Sequence, residues 1–156
     1  MNTLVKGTVN TCTFALTTSQ LTNVNSPVSL CSSYTLPNAV LNWYWTCTGG
    51  WSVTTGTTPT FAIGEMWTHQ PSAAFGMANI YTTNTEVGTQ ASVITTTNSN
   101  ILLSTLGGSS STVFQATFSG TFTANSTSGT FSPTASVGGA GGGGAAGTFT
   151  GGCTIQ

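Results

Sequence analysis

Charge is what this chain lacks. Of its 156 residues one is basic and two are acidic, so 2 % are charged, against roughly 25 % in ordinary soluble domains. Lys6 is the sole cation, Glu65 and Glu86 are the acids, His69 stands alone, and Arg and Asp are absent. One lysine cannot displace the counterions of a nucleic acid, so DNA and RNA are excluded as partners. Attachment to anionic lipid through a basic patch is excluded in the same way. Calcium loops need clustered carboxylates, and none are clustered here. Long apolar runs are also missing. The mean hydropathy of +0.18 reflects the missing charge rather than membrane insertion, because no run of about 20 predominantly apolar residues occurs. The most apolar window, Leu36 to Cys47, is interrupted by Asn38, Asn42 and Thr46. No segment shows a helical period.

What is present is alternation. From Val113 to Ala124 the residues Phe114, Ala116, Phe118, Gly120, Phe122 and Ala124 fall on every second position, with Gln115, Thr117, Ser119, Thr121 and Thr123 between them. A strand puts alternate side chains on opposite faces, so this run buries one face and wets the other. Val5, Gly7 and Val9 alternate in Thr3 to Val9. The frame then shifts at Asn10-Thr11, and Cys12, Phe14 and Leu16 alternate on the new one, which implies a bulge or two strands serving different sheets. Val28 to Leu36 alternates as one strand. Leu41, Trp43, Trp45 and Cys47 form the heaviest face, with Tyr44 pointing away, and Gly49-Gly50 signals a hairpin with Trp51 at its turn. Phe61, Ile63, Glu65 and Trp67 share a face. Further strands follow at Ala73 to Thr82, Val87 to Thr96 and Ile101 to Leu106. Pro133 is expected to stop the strand that begins at Gly129, and Phe149, Gly151, Cys153 and Ile155 share a face of the last one. Gly138 to Gly147 is nearly all Gly and Ala and reads as a flexible loop. The sum is an all-β chain of roughly ten to twelve short strands, an antiparallel β-sandwich or jelly roll.

Cys12, Cys31, Cys47 and Cys153 are an even set without a CxxC pair. They are too dispersed for a zinc finger and read as two disulfides made in an oxidising compartment. Of three connectivities, a local Cys31–Cys47 staple and a Cys12–Cys153 clasp between the ends are expected. Met1 to Asn10 contains no apolar core of about 7–15 residues, so the chain is taken as already processed.

Candidates for chemistry are few. Glu65 and Glu86 are the one possible acid/base pair, and a sandwich glycosidase would set two carboxylates across an aromatic cleft. The plainer reading places Glu65 at a strand edge or subunit contact and Glu86 in a solvated turn. His69 has neither Asp nor a second His to orient it and reads as a surface residue near a turn. Trp43 and Trp45 share a face with Leu41 and Cys47 and read as core. Trp51, Tyr44 and Trp67 are the candidates for a sugar-stacking platform. Asn125-Ser126-Thr127 fits an N-glycosylation sequon. No cofactor and no metal is called for, and the chain is read as a non-enzyme.

Near-zero charge promotes association, which a monomer avoids and a polymer tolerates. Few ionisable groups also make stability nearly independent of pH. In its Thr/Asn/Ser/Gly richness, its poverty of charge and its short N-terminal β segment Thr3-Leu-Val-Lys-Gly-Thr-Val9, the chain resembles the extracellular filament subunits of thermophilic archaea, of the thread and bundling-pilus type. The resemblance implies β-sandwich subunits joined by donor-strand complementation and serving adhesion or biofilm formation. It implies a homopolymer at the cell surface, with surface glycans as further partners. Residues 1–10 would be the donor extension, carrying Thr3, Leu4, Val5, Gly7 and Val9. Residues 11–156 would be one disulfide-linked sandwich. The alternative is a secreted carbohydrate-binding domain.

Overall fold

Alternation decides where the strands fall and which face of each is buried. The computed structural model describes residues 2–17, 20–21, 28–55, 60–68, 73–82, 85–94, 100–106, 113–124, 129–138 and 146–156. They form twelve strands: β1 (Asn2–Thr3), β2 (Asn10–Thr17), β3 (Val28–Ser29), β4 (Tyr34–Leu36), β5 (Asn42–Thr55), β6 (Thr60–Trp67), β7 (Ala73–Thr82), β8 (Thr85–Ile94), β9 (Asn100–Leu106), β10 (Val113–Thr123), β11 (Gly129–Gly138) and β12 (Ala146–Ile155).

One sheet runs β1-β4-β11-β6-β9, with β3 also on β11, and the other runs β2-β12-β5-β10-β7-β8. Setting aside β1, β3 and the β7–β8 hairpin, the eight remaining strands divide four and four, β2-β12-β5-β10 facing β4-β11-β6-β9. That interleaving of two Greek keys is the jelly roll. The β7–β8 hairpin lengthens one sheet beyond β10. All pairings are antiparallel except β1 on β4. The frame shift at Asn10-Thr11 is neither a bulge nor a junction of two strands: Val5, Gly7 and Val9 lie in the turn segment after β1, and β2 begins at Asn10.

β10 is the interior strand its alternation implies. Phe118 lies opposite Cys47 of β5 and Ala78 of β7. Ala116, Phe118, Phe122 and Ala124 are buried, while Gln115 and Thr121 are exposed. The core between the sheets is aromatic. Trp43, Trp45, Trp51 and Trp67 are each at most 2 % exposed. Phe131 of β11 is the hub, with ring centroids 4.7 Å from Phe122 and 5.7 Å from both Trp45 and Trp67. Each such ring contributes roughly 1.5–3 kcal/mol by burial and about 0.5–1.5 kcal/mol more by ring pairing.

Four local expectations are corrected. Thr3 to Val9 is not one strand: β1 ends at Thr3, and the chain turns through Gly7 at φ 87° with Thr8 N donating to Val5 O at 3.2 Å. Val28 to Leu36 splits into β3 and β4, leaving buried Cys31 between them. Gly49-Gly50 is no hairpin, because β5 runs straight through it. A Cβ on Gly49 would collide with the Phe149 ring and approach Phe14, so glycine is there to admit aromatics. Pro133 does not end β11. It falls between the β4 pairing at 129–131 and the β3 pairing at 134–135. Its carbonyl accepts from Leu30 N at 2.9 Å on that side, and the missing N–H faces the same gap.

Candidate functional site

The N-terminal segment lies on the edge of its own domain. Asn2 and Thr3 pair in parallel with Tyr34 and Thr35, and Leu4 N donates to Thr35 O at 3.0 Å. Parallel pairing is the weaker kind per residue, and this ladder is two residues long. Yet Leu4 is 3 % exposed and belongs to the core, while Val5 is 56 % and Val9 54 % exposed. Lys6 donates from Nζ to the Asn42 carbonyl and sits 4.9 Å from the centroid of the Trp43 ring. A cation over an indole face gains roughly 0.5–1 kcal/mol at an exposed site. The Asn10 side chain donates to Thr8 O at 3.0 Å and Ile155 O at 3.4 Å, closing the turn. So Thr3, Leu4, Val5, Gly7 and Val9 form an edge strand, a buried plug and a turn.

The cysteines pair as Cys12–Cys31 and Cys47–Cys153. This corrects the expected Cys31–Cys47 and Cys12–Cys153. Register sets Cys153 directly opposite both Cys47 and Cys12, and because Cys12 is taken by Cys31, Cys153 bonds Cys47. Cys31, in the segment joining β3 to β4, reaches Cys12 from the other sheet. The bridges point to an oxidising environment.

Glu65 is not at a strand edge or a subunit contact. It faces the core from β6, opposite Pro133 of β11, and is 0 % exposed. Neither carboxyl oxygen has a hydrogen-bond partner among the described residues, nor does the Trp45 indole N–H. Burial pushes the carboxyl well above its ordinary value, and the nearby Trp45 indole pulls it part of the way back without reaching hydrogen-bond geometry. The carboxyl is closed inside an aromatic core, whereas the glycosidase alternative needs it exposed in a cleft. The backbone of Glu86 pairs with Tyr81 on the far hairpin, and its side chain lies outside the described residues, as do His69, Asn125 and the core of the glycine run, 139–145.

The sugar platform is corrected in its main members. Trp51 is 0 % and Trp67 1 % exposed, whereas Tyr44 is 46 % exposed as expected. Phe75, 38 % exposed and not foreseen, joins Tyr44 in one row across Thr121. Its strand gives no signal for this, since Ala74 and Gly76 beside it carry no polar alternation. Among the described residues no helix is long and apolar enough to cross a membrane. No protein-family model, no curated protein and no solved structure matches this chain.

Proposed function

We propose that the chain is the structural subunit of an extracellular filament, in which residues 2–9 of one subunit occupy the β4 edge of the next. The observation that carries this reading is Leu4, a core residue delivered by a segment held to its own domain through a two-residue parallel ladder. The same segment precedes the first crosslinked residue, Cys12. An element so attached can be exchanged for an identical one at little cost, since the contacts reform between subunits. The turn at Gly7 is the hinge. A contact of this kind is heterologous and grows an open fibre. The near absence of charge removes the repulsion that keeps ordinary secreted domains apart. Adhesion or biofilm formation is the role that the resemblance to archaeal filament subunits implies.

The test is electron microscopy of the purified chain beside a variant lacking residues 2–9. Regular fibres from the whole chain and monomers from the folded variant are expected. Fibres from the shortened variant refute the donor role, and monodisperse particles from the whole chain refute the polymer.

A second reading rests on the exposed Tyr44–Phe75 row. It would make this face a small sugar-stacking surface. Glycan binding that is lost in Tyr44→Ala supports it.

A further inference from the structure

Three half-cystines stand in a row. Across β2, β12 and β5 the register sets Cys12 opposite Cys153 and Cys153 opposite Cys47. All three lie on the core side of their sheet, on the same strand faces as Phe14, Phe149 and Trp45. The sulfurs of Cys12, Cys31 and Cys153 lie within 4.8 Å of one another. Directly opposed residues on one sheet face hold their Cβ atoms about 4.5–5.5 Å apart, close to what a disulfide spans. Cys153 therefore has two neighbours able to bond it, Cys47 on one side and Cys12 on the other. It is bonded to the first, while Cys12 is bonded across the sandwich to Cys31.

Thiol–disulfide exchange needs an attacking sulfur, a central sulfur and a leaving sulfur in line. The order Cys12, Cys153, Cys47 across three adjacent strands puts the attacking and the leaving cysteine on opposite sides of Cys153. We propose that these cysteines form a thiol–disulfide relay in which Cys153 passes between Cys47 and Cys12 once the Cys12–Cys31 bridge is reduced. A dithiol reductant gives two electrons to that bridge, becomes a cyclic disulfide, and leaves Cys31 as a thiol and Cys12 as a thiolate. The Cys12 thiolate attacks Cys153 Sγ. The Cys12–Cys153 bond forms, the Cys47–Cys153 bond breaks, and Cys47 leaves as a thiolate that takes a proton from solvent. The protein ends with one disulfide and two thiols, and the rate rises with pH as the thiolate fraction rises.

The two pairings hold different elements. Cys12–Cys31 is the covalent tie between the two sheets, because Cys47–Cys153 lies within one of them. After exchange the remaining bridge joins neighbours β2 and β12 of one sheet, and the β3–β4 segment is freed. β4 is the strand that receives β1, so the relay sets how firmly that edge is held. The inference rests on register and sulfur proximity and stands whether or not the chain polymerises.

Cys31→Ser leaves three cysteines and one disulfide. The variant is isolated at pH 8, quenched in acid, alkylated, cut with chymotrypsin and mapped by mass spectrometry. The relay places the alkyl label on both Cys12 and Cys47, in populations within about tenfold of each other, with Cys12–Cys153 and Cys47–Cys153 bridges both present. Label confined to Cys12 overturns it. If the variant does not fold, the wild-type chain is treated with limiting dithiothreitol and mapped in the same way. Label on Cys31 and Cys47 supports the relay, and label on Cys12 and Cys31 alone overturns it.

Discussion

At the scale of single residues, the buried carboxyl of Glu65 governs how stability depends on pH. Its folded value lies well above the ordinary 4.5 because burial penalises the charged form. Below pH 4.5 the group is protonated in both the folded and unfolded chain and costs nothing extra. Above it the unfolded chain loses the proton first, so stability falls as pH rises, until the folded group ionises too. One group limits the slope to about 1.4 kcal/mol per pH unit. Denaturant titrations from pH 4 upward are expected to show that decline in the wild-type chain and its removal in Glu65→Gln; parallel curves for the two proteins refute it. This refines the near independence of pH expected from composition: few groups titrate, but one of them is closed inside the core. Gly120 makes the second case. A Cβ there would lie 2.5 Å from the Phe75 carbonyl and 2.6 Å from Trp45 Nε1. Gly120→Ala is expected to lose about 1–3 kcal/mol by thermal melting, and an unchanged melting temperature would mean that β7 moves aside freely. Glycines at 49 and 120 carry no side chain to reveal their role. Their partners, Phe149 and Phe75, come from distant strands, which is why Gly49 looked like a turn.

The separate elements differ in how firmly they are held. β10 is paired along its length on both sides, by β5 and β7, so its alternation was enough to place it. β1 has two residues of ladder and one plug. Leu4→Ala removes that plug. A core leucine truncation typically costs about 2–5 kcal/mol, but here release of the segment caps the loss. The expected outcome is faster tryptic cleavage after Lys6, the sole basic residue, with little change in global melting; a large fall in melting temperature would show the segment to be integral to the fold. The Cys47–Cys153 bridge spans a sequence separation of 106, for which the chain-entropy account gives about 4–5 kcal/mol. Replacing both residues with alanine is expected to lower stability by about that amount in denaturant melts, and a loss under about 1 kcal/mol contradicts it.

Over the whole molecule, the jelly roll is held by an aromatic interior and two crosslinks, with almost no charge to screen. Association driven by burial and strand pairing is therefore insensitive to ionic strength. Melting temperature, and the fibre yield of the filament proposed above, are expected to change little between about 0.05 and 1 M sodium chloride, where the Debye length falls several-fold. A strong decline with salt would assign assembly to electrostatics instead.

The sequence alone determined the all-β class, the central aromatic strand, the outward Tyr44 and the oxidised state of the four cysteines, because period-two alternation and composition are local properties. It placed Trp43 and Trp45 in the core for the same reason. Tertiary structure alone decided the rest. The partner of Cys153 depends on which strands become neighbours, and both neighbours bring a cysteine. Glu65 is buried because β11 and β5 cover it, although its own strand marks only which face it shares. Leu4 is core because β4 offers it an edge, and nothing in residues 2–9 states which sheet they meet. Those facts come from long-range pairing, and a strand's pattern fixes its faces without naming its neighbours.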